Sequence, residues 1–408
     1  PPLQFDIAGT LSQANDPDRL SMDLQINRMD APKNFFTTLE SGSLQMPDLL
    51  QASGTLRGTL AELNTDLKIN ALRGGATSRL EFKGLLQNVR TPDQLGFDVA
   101  FDASLSRREI LGYVPDSVVT PVLRLPDFVQ INGKAKGTMQ DAAGKASIGL
   151  GNLGQIHVDG TLRDSSYQMN LAAQNIRVDE LAVDTTLRPL KSLGLTAQIN
   201  GQGFDFGQTA RIQLSGKADS MIWDNLILRD ITFEGDVDGK RFTAGLQSPD
   251  ERAAVRLAAS GDFGPAMPVL DLDVALNCLD LREFGWSNRP TNVCMRIRSH
   301  SEGLSADTLN AKITIESIDL QYDTVHVHPG DMTLDITLDN NHNNLTIASD
   351  WLEGEIKGFF VLSDLSTTIA NIADQYFVVD RSTYIPAIGT DSLSVQLHLL
   401  HPDLLTTG

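Results

Sequence analysis

Polar and apolar positions alternate with a period of two along most of this chain, the spacing of strands that turn one face to water and the other to a dry surface. Asp271-Leu272-Asp273-Val274-Ala275-Leu276-Asn277-Cys278 sets its acids and Asn on one side and its apolar groups on the other. Lys312-Ile313-Thr314-Ile315-Glu316, the run Met332 to Leu338, and Leu80-Glu81-Phe82-Lys83 do the same. Turn residues stand between such runs: Gly74-Gly75, Asp238-Gly239 and the stretch Asn340 to Asn344. Links this short join antiparallel neighbours, because a parallel pair needs a crossover of about a dozen residues. The pattern predicts an all-β chain: a long, curled, mostly antiparallel sheet (a β-groove) with a few short helices.

Within the strands one signature recurs, an apolar-x-apolar-x-Gly run. It reads Phe5-Asp6-Ile7-Ala8-Gly9, Leu80-Glu81-Phe82-Lys83-Gly84, Val129-Gln130-Ile131-Asn132-Gly133 and Ile156-His157-Val158-Asp159-Gly160. It returns at Gly216, Gly235 and Gly358. A glycine forfeits side-chain packing in a strand, so a recurring one has a geometric job. Two jobs fit: a bend that curls the sheet, or close approach of something to the backbone.

A second signature follows at short range. Val274/Leu276 leads into Leu279-Asp280-Leu281, Ile313/Ile315 into Ile318-Asp319-Leu320, and Val395/Leu397 into Leu400, His401 and Asp403. Looser copies run into Met29-Asp30, Leu105 and Val178-Asp179-Glu180-Leu181. The Asp suits the first turn of a short helix, so each copy reads as a strand ending in a helical turn. Similar strands start near Phe5, Leu80, Ile156 and Val255, which makes the unit a multi-strand block and the chain one elongated repetitive body over residues 1–408. Helical insertions are expected at 104–126, broken by Pro115, Pro121 and Pro126, and at 363–377, where Leu365, Ile369, Ile372 and Tyr376 share a face.

Composition narrows the reading. Lys plus Arg number 33 against 52 Asp plus Glu, a net charge of −19 that repels phosphate backbones and argues against nucleic acid as a partner. Sixteen of the aromatic residues are Phe, beside only 3 Trp and 5 Tyr, so the dry surface must be mostly aliphatic. No stretch approaches the 18 or so apolar residues of a membrane-spanning helix. No signal peptide is visible, and the chain opens on Pro1-Pro2-Leu3-Gln4-Phe5, already inside the alternating pattern, as an excised piece would. Cys278 and Cys294 are too few for a zinc site and read as two half-buried thiols rather than a bridge across neighbouring strands.

Candidate chemistry is thin. His326 and His328 share a strand face and His342 follows, but no carboxylate or cysteine cluster completes a metal site; His398 and His401 fall inside a repeat copy. Gly137 to Ala146 has the wrong spacing for a phosphate loop, and Asp236-Val237-Asp238-Gly239 lacks the later ligands of a calcium loop. No nucleophile elbow or zinc-protease pair is present. These residues give no reason to expect an enzyme, a cofactor or a metal.

What remains is a large amount of one-sided aliphatic strand with little helix to cover it. Burial of apolar area is worth about 25 cal/mol per Å², so an open sheet needs a remedy. A second sheet can close over it as a sandwich, or the sheet can curl into a trough holding another apolar molecule. The repeated apolar-x-apolar-x-Gly strands, with blocks ending in an apolar-Asp-Leu turn, resemble the TamB and AsmA-like family of bacterial envelope proteins from Phe5 to about Leu405. The resemblance implies a periplasmic β-groove in an inner-membrane-anchored protein. Such a groove carries phospholipid acyl chains toward the outer membrane, contributes to outer-membrane assembly, and meets an outer-membrane β-barrel partner through regions outside these residues.

Groove-facing positions expected from register are Phe5, Ile7, Leu80, Phe82, Val99, Phe101, Ile156, Val158, Ile231, Phe233, Val274, Leu276, Ile313, Ile315, Leu334, Ile336, Ile356 and Phe360. Two other readings compete. One is a scaffold whose strand edges pair with an outer-membrane β-barrel. The other is a surface β-sandwich adhesin.

Overall fold

The alternation folds as antiparallel strands in a computed structural model that describes residues 3–16, 19–36, 46–113, 122–205, 207–305, 308–339, 343–358 and 393–400. The chain falls into two compact units, divided near Asp230–Ile231, with residues 206–209 grouped with the second.

The first unit is a continuous meander. Its strands are β1 (Gln4–Ser12), β2 (Ser21–Pro32), β3 (Leu49–Thr59), β4 (Glu62–Arg73), β5 (Ala76–Gln87), β6 (Gly96–Ser106) and β7 (Phe128–Thr138). They continue as β8 (Asp141–Gly149), β9 (Gln155–Arg163), β10 (Ser166–Ile176), β11 (Leu190–Gln202), β12 (Arg211–Trp223) and the short β13 (Leu226–Leu228). Each pairs antiparallel with the next. The block starts expected near Phe5, Leu80 and Ile156 fall in β1, β5 and β9, so the repeat here is four strands. A short helical segment follows the second strand of each block: the 3-10 turn Lys33–Phe36 after β2, helix α1 (Arg107–Leu111) after β6 and helix α2 (Val178–Leu181) after β10.

The second unit runs β14 (Ile231–Asp238), β15 (Arg241–Ser248), β16 (Val255–Asp262), β17 (Val269–Asp280), β18 (Thr291–Ser305) and β19 (Thr308–Tyr322). Then come β20 (Val325–Val327) and β21 (Met332–Asp339), both paired with β19, followed by β22 (Asn343–Ser349), β23 (Leu352–Gly358) and β24 (Leu393–Leu399). All-β, antiparallel architecture is as expected. Phe360, His342, His401 and the helix expected at 363–377 lie outside the described residues.

Two local expectations are corrected. The apolar-Asp-Leu segments do not all end strands. Leu279-Asp280 closes β17 as expected, the Asp280 carboxylate accepting from the Arg282 amide of the following turn, but Ile318-Asp319-Leu320 stays inside β19. What precedes each is a residue in the left-handed region, Cys278 at φ 65° and Ser317 at φ 53°. At Cys278 the register with β18 shifts between Leu276 and Leu279. That is a β-bulge, which bends a strand and then lets it continue. Val178-Asp179-Glu180-Leu181 turns helical as expected, and Leu105 leads into the Ser106-capped helix Arg107–Leu111. The second correction concerns the thiols: Cys278 and Cys294 form a disulfide, their Cα atoms 4.0 Å apart. The bulge brings the two Cβ atoms to one place, which strand alternation alone does not foretell.

Candidate functional site

Counting outward from each hairpin turn fixes which side chains share a face, because directly opposed residues of antiparallel strands point the same way. In the first unit this aligns whole rows across twelve strands. One row is Ile7, Ile26, Gly54, Leu67, Phe82, Phe101, Gly133, Ala146, Val158, Leu171, Ala197 and Gly216, taken from β1 to β12. The next row to one side runs from Phe5 through Met29, Ile69, Leu80, Ile131 and Ile156 to Leu195 and Ala218, without a polar side chain. To the other side lie the row from Gly9 through Val99 to Leu214, interrupted only by Thr65, and the row from Leu11 through Phe97 to Tyr167 and Ile212. At a strand spacing of about 4.8 Å each row is a path of roughly 50 Å running across the strands.

All eight first-unit candidates lie on these rows. In the second unit Phe233, Val274 and Ile315 share a row with Leu257 and Ile297, while Ile313 and Leu334 share the next with Leu272 and Ile347. Ile336 and Ile356 fall on a third, with Leu345 and Val395, and Leu276 lies opposite Val255.

Exposure sorts the candidates. Val99, Ile231, Ile336 and Ile356 are buried, the last two in a cluster with Leu338. Phe5 and Ile7, on β1, are about half exposed at 52% and 47%. Leu80, Phe82, Phe101, Ile156, Val158, Phe233, Val274, Leu276, Ile313, Ile315 and Leu334 are neither buried nor free but half-covered. A sealed sandwich core buries such side chains outright. Sequence reading missed many of the residues on the rows, among them Leu67, Ile131, Met169, Leu171 and Ile199. They lie in strands whose alternation is clear, and Leu67, Met169 and Leu171 are in strands without the glycine signature; hairpin register was the signal that could have found them.

The recurring glycines do two things. At Gly84 (φ 154°) an added Cβ would sit 2.1 Å from the Asp98 carbonyl oxygen, and at Gly137 (φ 134°) 2.1 Å from that of Asp141, so the neighbouring backbone occupies the side-chain space. At Gly201 and Gly261 the obstacle is a ring on the adjacent strand, Tyr167 and Phe242, and at Gly133 the Phe101 ring joins the nearer Lys145 carbonyl oxygen. Both are forms of the close approach to the backbone that was expected, and the second keeps large rings flat against the apolar face.

The two lips of the first-unit face differ. The segments after β2, β6 and β10 fold back over one lip. Phe35 packs edge-to-face on Phe5, with centroids 6.3 Å apart. In α1, Ser106 caps the helix by accepting from the Glu109 amide and also bonds Ser78, and Glu109 accepts from Arg73 at 3.0 Å. Ala31, Ser78, Ser106, Glu109, Val129 and Leu181 are all buried there. The opposite lip carries the other hairpin turns, and the 3-10 turn there, Pro92–Gln94, buries none of its residues.

The water-facing side is held by cross-strand ion pairs: Asp23 with Arg57, Asp66 with Lys83, Asp98 with Lys136, and Asp273 with Arg296. The Arg296 hydrogen bond holds the Asp273 carboxyl below the ordinary carboxylate range, and the Asp271 bond raises His300 above 6.5. Exposed pairs like these specify register more than they stabilise. Three open clefts of about 430, 540 and 430 Å³ lie between β6 and β12, lined with water-facing groups such as Lys134, Lys145, His157 and Asp159. They form where Ala100, Ala143 and Ala172 stand among long polar side chains. His328 lies beside Asp319. No group of three metal-ligating side chains occurs among the described residues, and no described helix is long and apolar enough to cross a membrane. Compared with known proteins, the chain matches no family model, no curated protein and no solved structure.

Proposed function

We propose that the chain binds phospholipid acyl chains on the apolar face of its sheet and lets them move along it, as one piece of a periplasmic conduit between two membranes. The observation that carries this reading is the set of continuous apolar rows whose side chains are only half-covered. A face of that extent is rare on a protein that meets only water. Each methylene moved out of water gains about 0.8 kcal/mol, so a chain of about 16 carbons gains roughly 13 kcal/mol if fully buried. Because the rows hold no charged side chain, successive positions are alike in energy, and a chain can slide without losing a fixed polar anchor.

The disulfide suits an oxidising compartment such as the periplasm. The inner-membrane anchor, the outer-membrane β-barrel partner and the role in outer-membrane assembly come with the resemblance to the TamB and AsmA-like family. The scaffold reading has one observation of its own: β1 pairs only with β2 among the described strands and is exposed on both faces, as a strand awaiting a partner is.

Organic extraction of the purified protein followed by mass spectrometry tests the proposal. Phospholipid in stoichiometric amount is expected. An extract free of lipid, from a protein that also takes up none from vesicles, would favour the scaffold.

A further inference from the structure

The outer edge of β1 has the makings of a docking surface for a second copy of the chain. We infer that two copies pair there, β1 against β1, antiparallel about a two-fold axis at Ile7. The pairing makes no use of what the apolar face binds, so its failure would leave the acyl-chain reading untouched.

Edge strands that stay single carry devices against pairing: lysine, proline, a bulge, or brevity. β1 has none of them. It runs nine residues, Gln4–Ser12, without Lys, Arg or Pro, and every one of them is exposed. The irregularity in its pairing belongs to β2, where Asn27 is the extra residue between Ile26 and Arg28. Its single charge, Asp6, accepts from that Asn27 at 3.2 Å and so is bonded inward to β2. Leu3, Phe5, Ile7 and Leu11 are between 41% and 56% exposed, and among the described strands β1 pairs only with β2.

The occupant follows from the strand's own pattern. Elsewhere in the chain a ring repeatedly stands directly opposite a glycine: Phe101 opposite Gly133, Tyr167 opposite Gly201 and Phe242 opposite Gly261. Each ring takes the space beside the bare backbone. Two β1 strands centred on Ile7 make this pair twice, Phe5 of each copy facing Gly9 of the other. Leu3 then faces Leu11 and Ile7 faces Ile7, so the apolar side meets only apolar residues or glycine. On the other side Gln4 meets Thr10 and Asp6 meets Ala8; the two Asp6 carboxylates lie on a diagonal, each held by its own Asn27. Centring on Asp6 would set the carboxylates face to face, and centring on Ala8 would lose the ring-on-glycine pair. The contact is isologous and closes at two copies, whereas pairing of β1 with the β24 edge of another copy would string chains head to tail without end. It also carries the Ile7 row of one copy straight into that of the other.

Cysteine placed singly at Ile7 or Ala8 in the full chain reads the pairing, because Cys278 and Cys294 are bonded to each other. Light scattering of the unaltered protein is expected to give twice the chain mass. Under mild oxidation Ile7→Cys is expected to form a covalent dimer in most of the protein, and Ala8→Cys, which faces Asp6, several-fold less. Ile7→Lys sets two like charges on the axis and is expected to halve the mass, with circular dichroism unchanged because the position is an exposed edge. A single-chain mass for the unaltered protein, an open series of larger species, or cross-linking at Ala8 as efficient as at Ile7 would overturn the inference. So would a folded Ile7→Lys protein that keeps the double mass.

Discussion

Glycine decides more about this surface than any larger residue. Gly84 holds a backbone conformation that side chains rarely adopt, and its missing Cβ leaves room for the Asp98 carbonyl of the next strand. Gly84→Ala is therefore expected to cost about 2 kcal/mol or more, from strain and forced separation of β5 and β6. Gly149→Ala is the contrast, because its Cβ would meet Gln130 Cβ at an ordinary 3.6 Å. Urea unfolding of the two variants checks this, and equal stabilities would refute the account of Gly84. The recurrence of these glycines was legible in the sequence. The reason for it was only half so, because a ring that lies on Gly133 comes from Phe101, a residue on a strand 32 positions earlier in the chain, and no spacing rule joins them.

At the scale of elements, strand, turn and hairpin were readable because alternation and Gly-Gly or Asp-Gly links are local signals. The bulges were not. An acid following an apolar strand looks the same whether it opens a helix, as Asp179 does in α2, or follows a left-handed residue inside a strand, as Asp319 does. Cross-strand geometry decides, and it also closes the Cys278–Cys294 bridge that the sequence left as thiols. That bridge spans a sequence separation of 16 residues. Reduction is expected to destabilise the second unit by about 3 kcal/mol through the freed loop. Calorimetry with and without reductant should show one transition falling while the other stays; an unchanged scan would mean that the bridge adds nothing to stability.

Across each unit, the hairpins do collectively what no strand does alone. Each strand contributes three or four apolar side chains to a face, and hairpin register brings them into line from Ile7 to Gly216 without a charged residue entering the row. Alternation foretold a one-sided apolar face, and register sets the eight first-unit candidates on its rows. It did not foretell that Val99, Ile231, Ile336 and Ile356 would be buried, nor that α1 and α2 would pack against one lip, since both depend on how separate segments fold back on the sheet.

Transfer of fluorescent phospholipid between donor and acceptor vesicles measures the central claim most directly, run with the unaltered chain and with Leu171→Asp and Val274→Asp. A carboxylate in mid-row leaves the half-covered position accessible to water, so folding by circular dichroism should persist. Its charge interrupts the dry path, so transfer should fall to the protein-free rate. Variants that stay folded and carry lipid as fast as the unaltered chain would contradict the account, because the apolar rows would then not be the path.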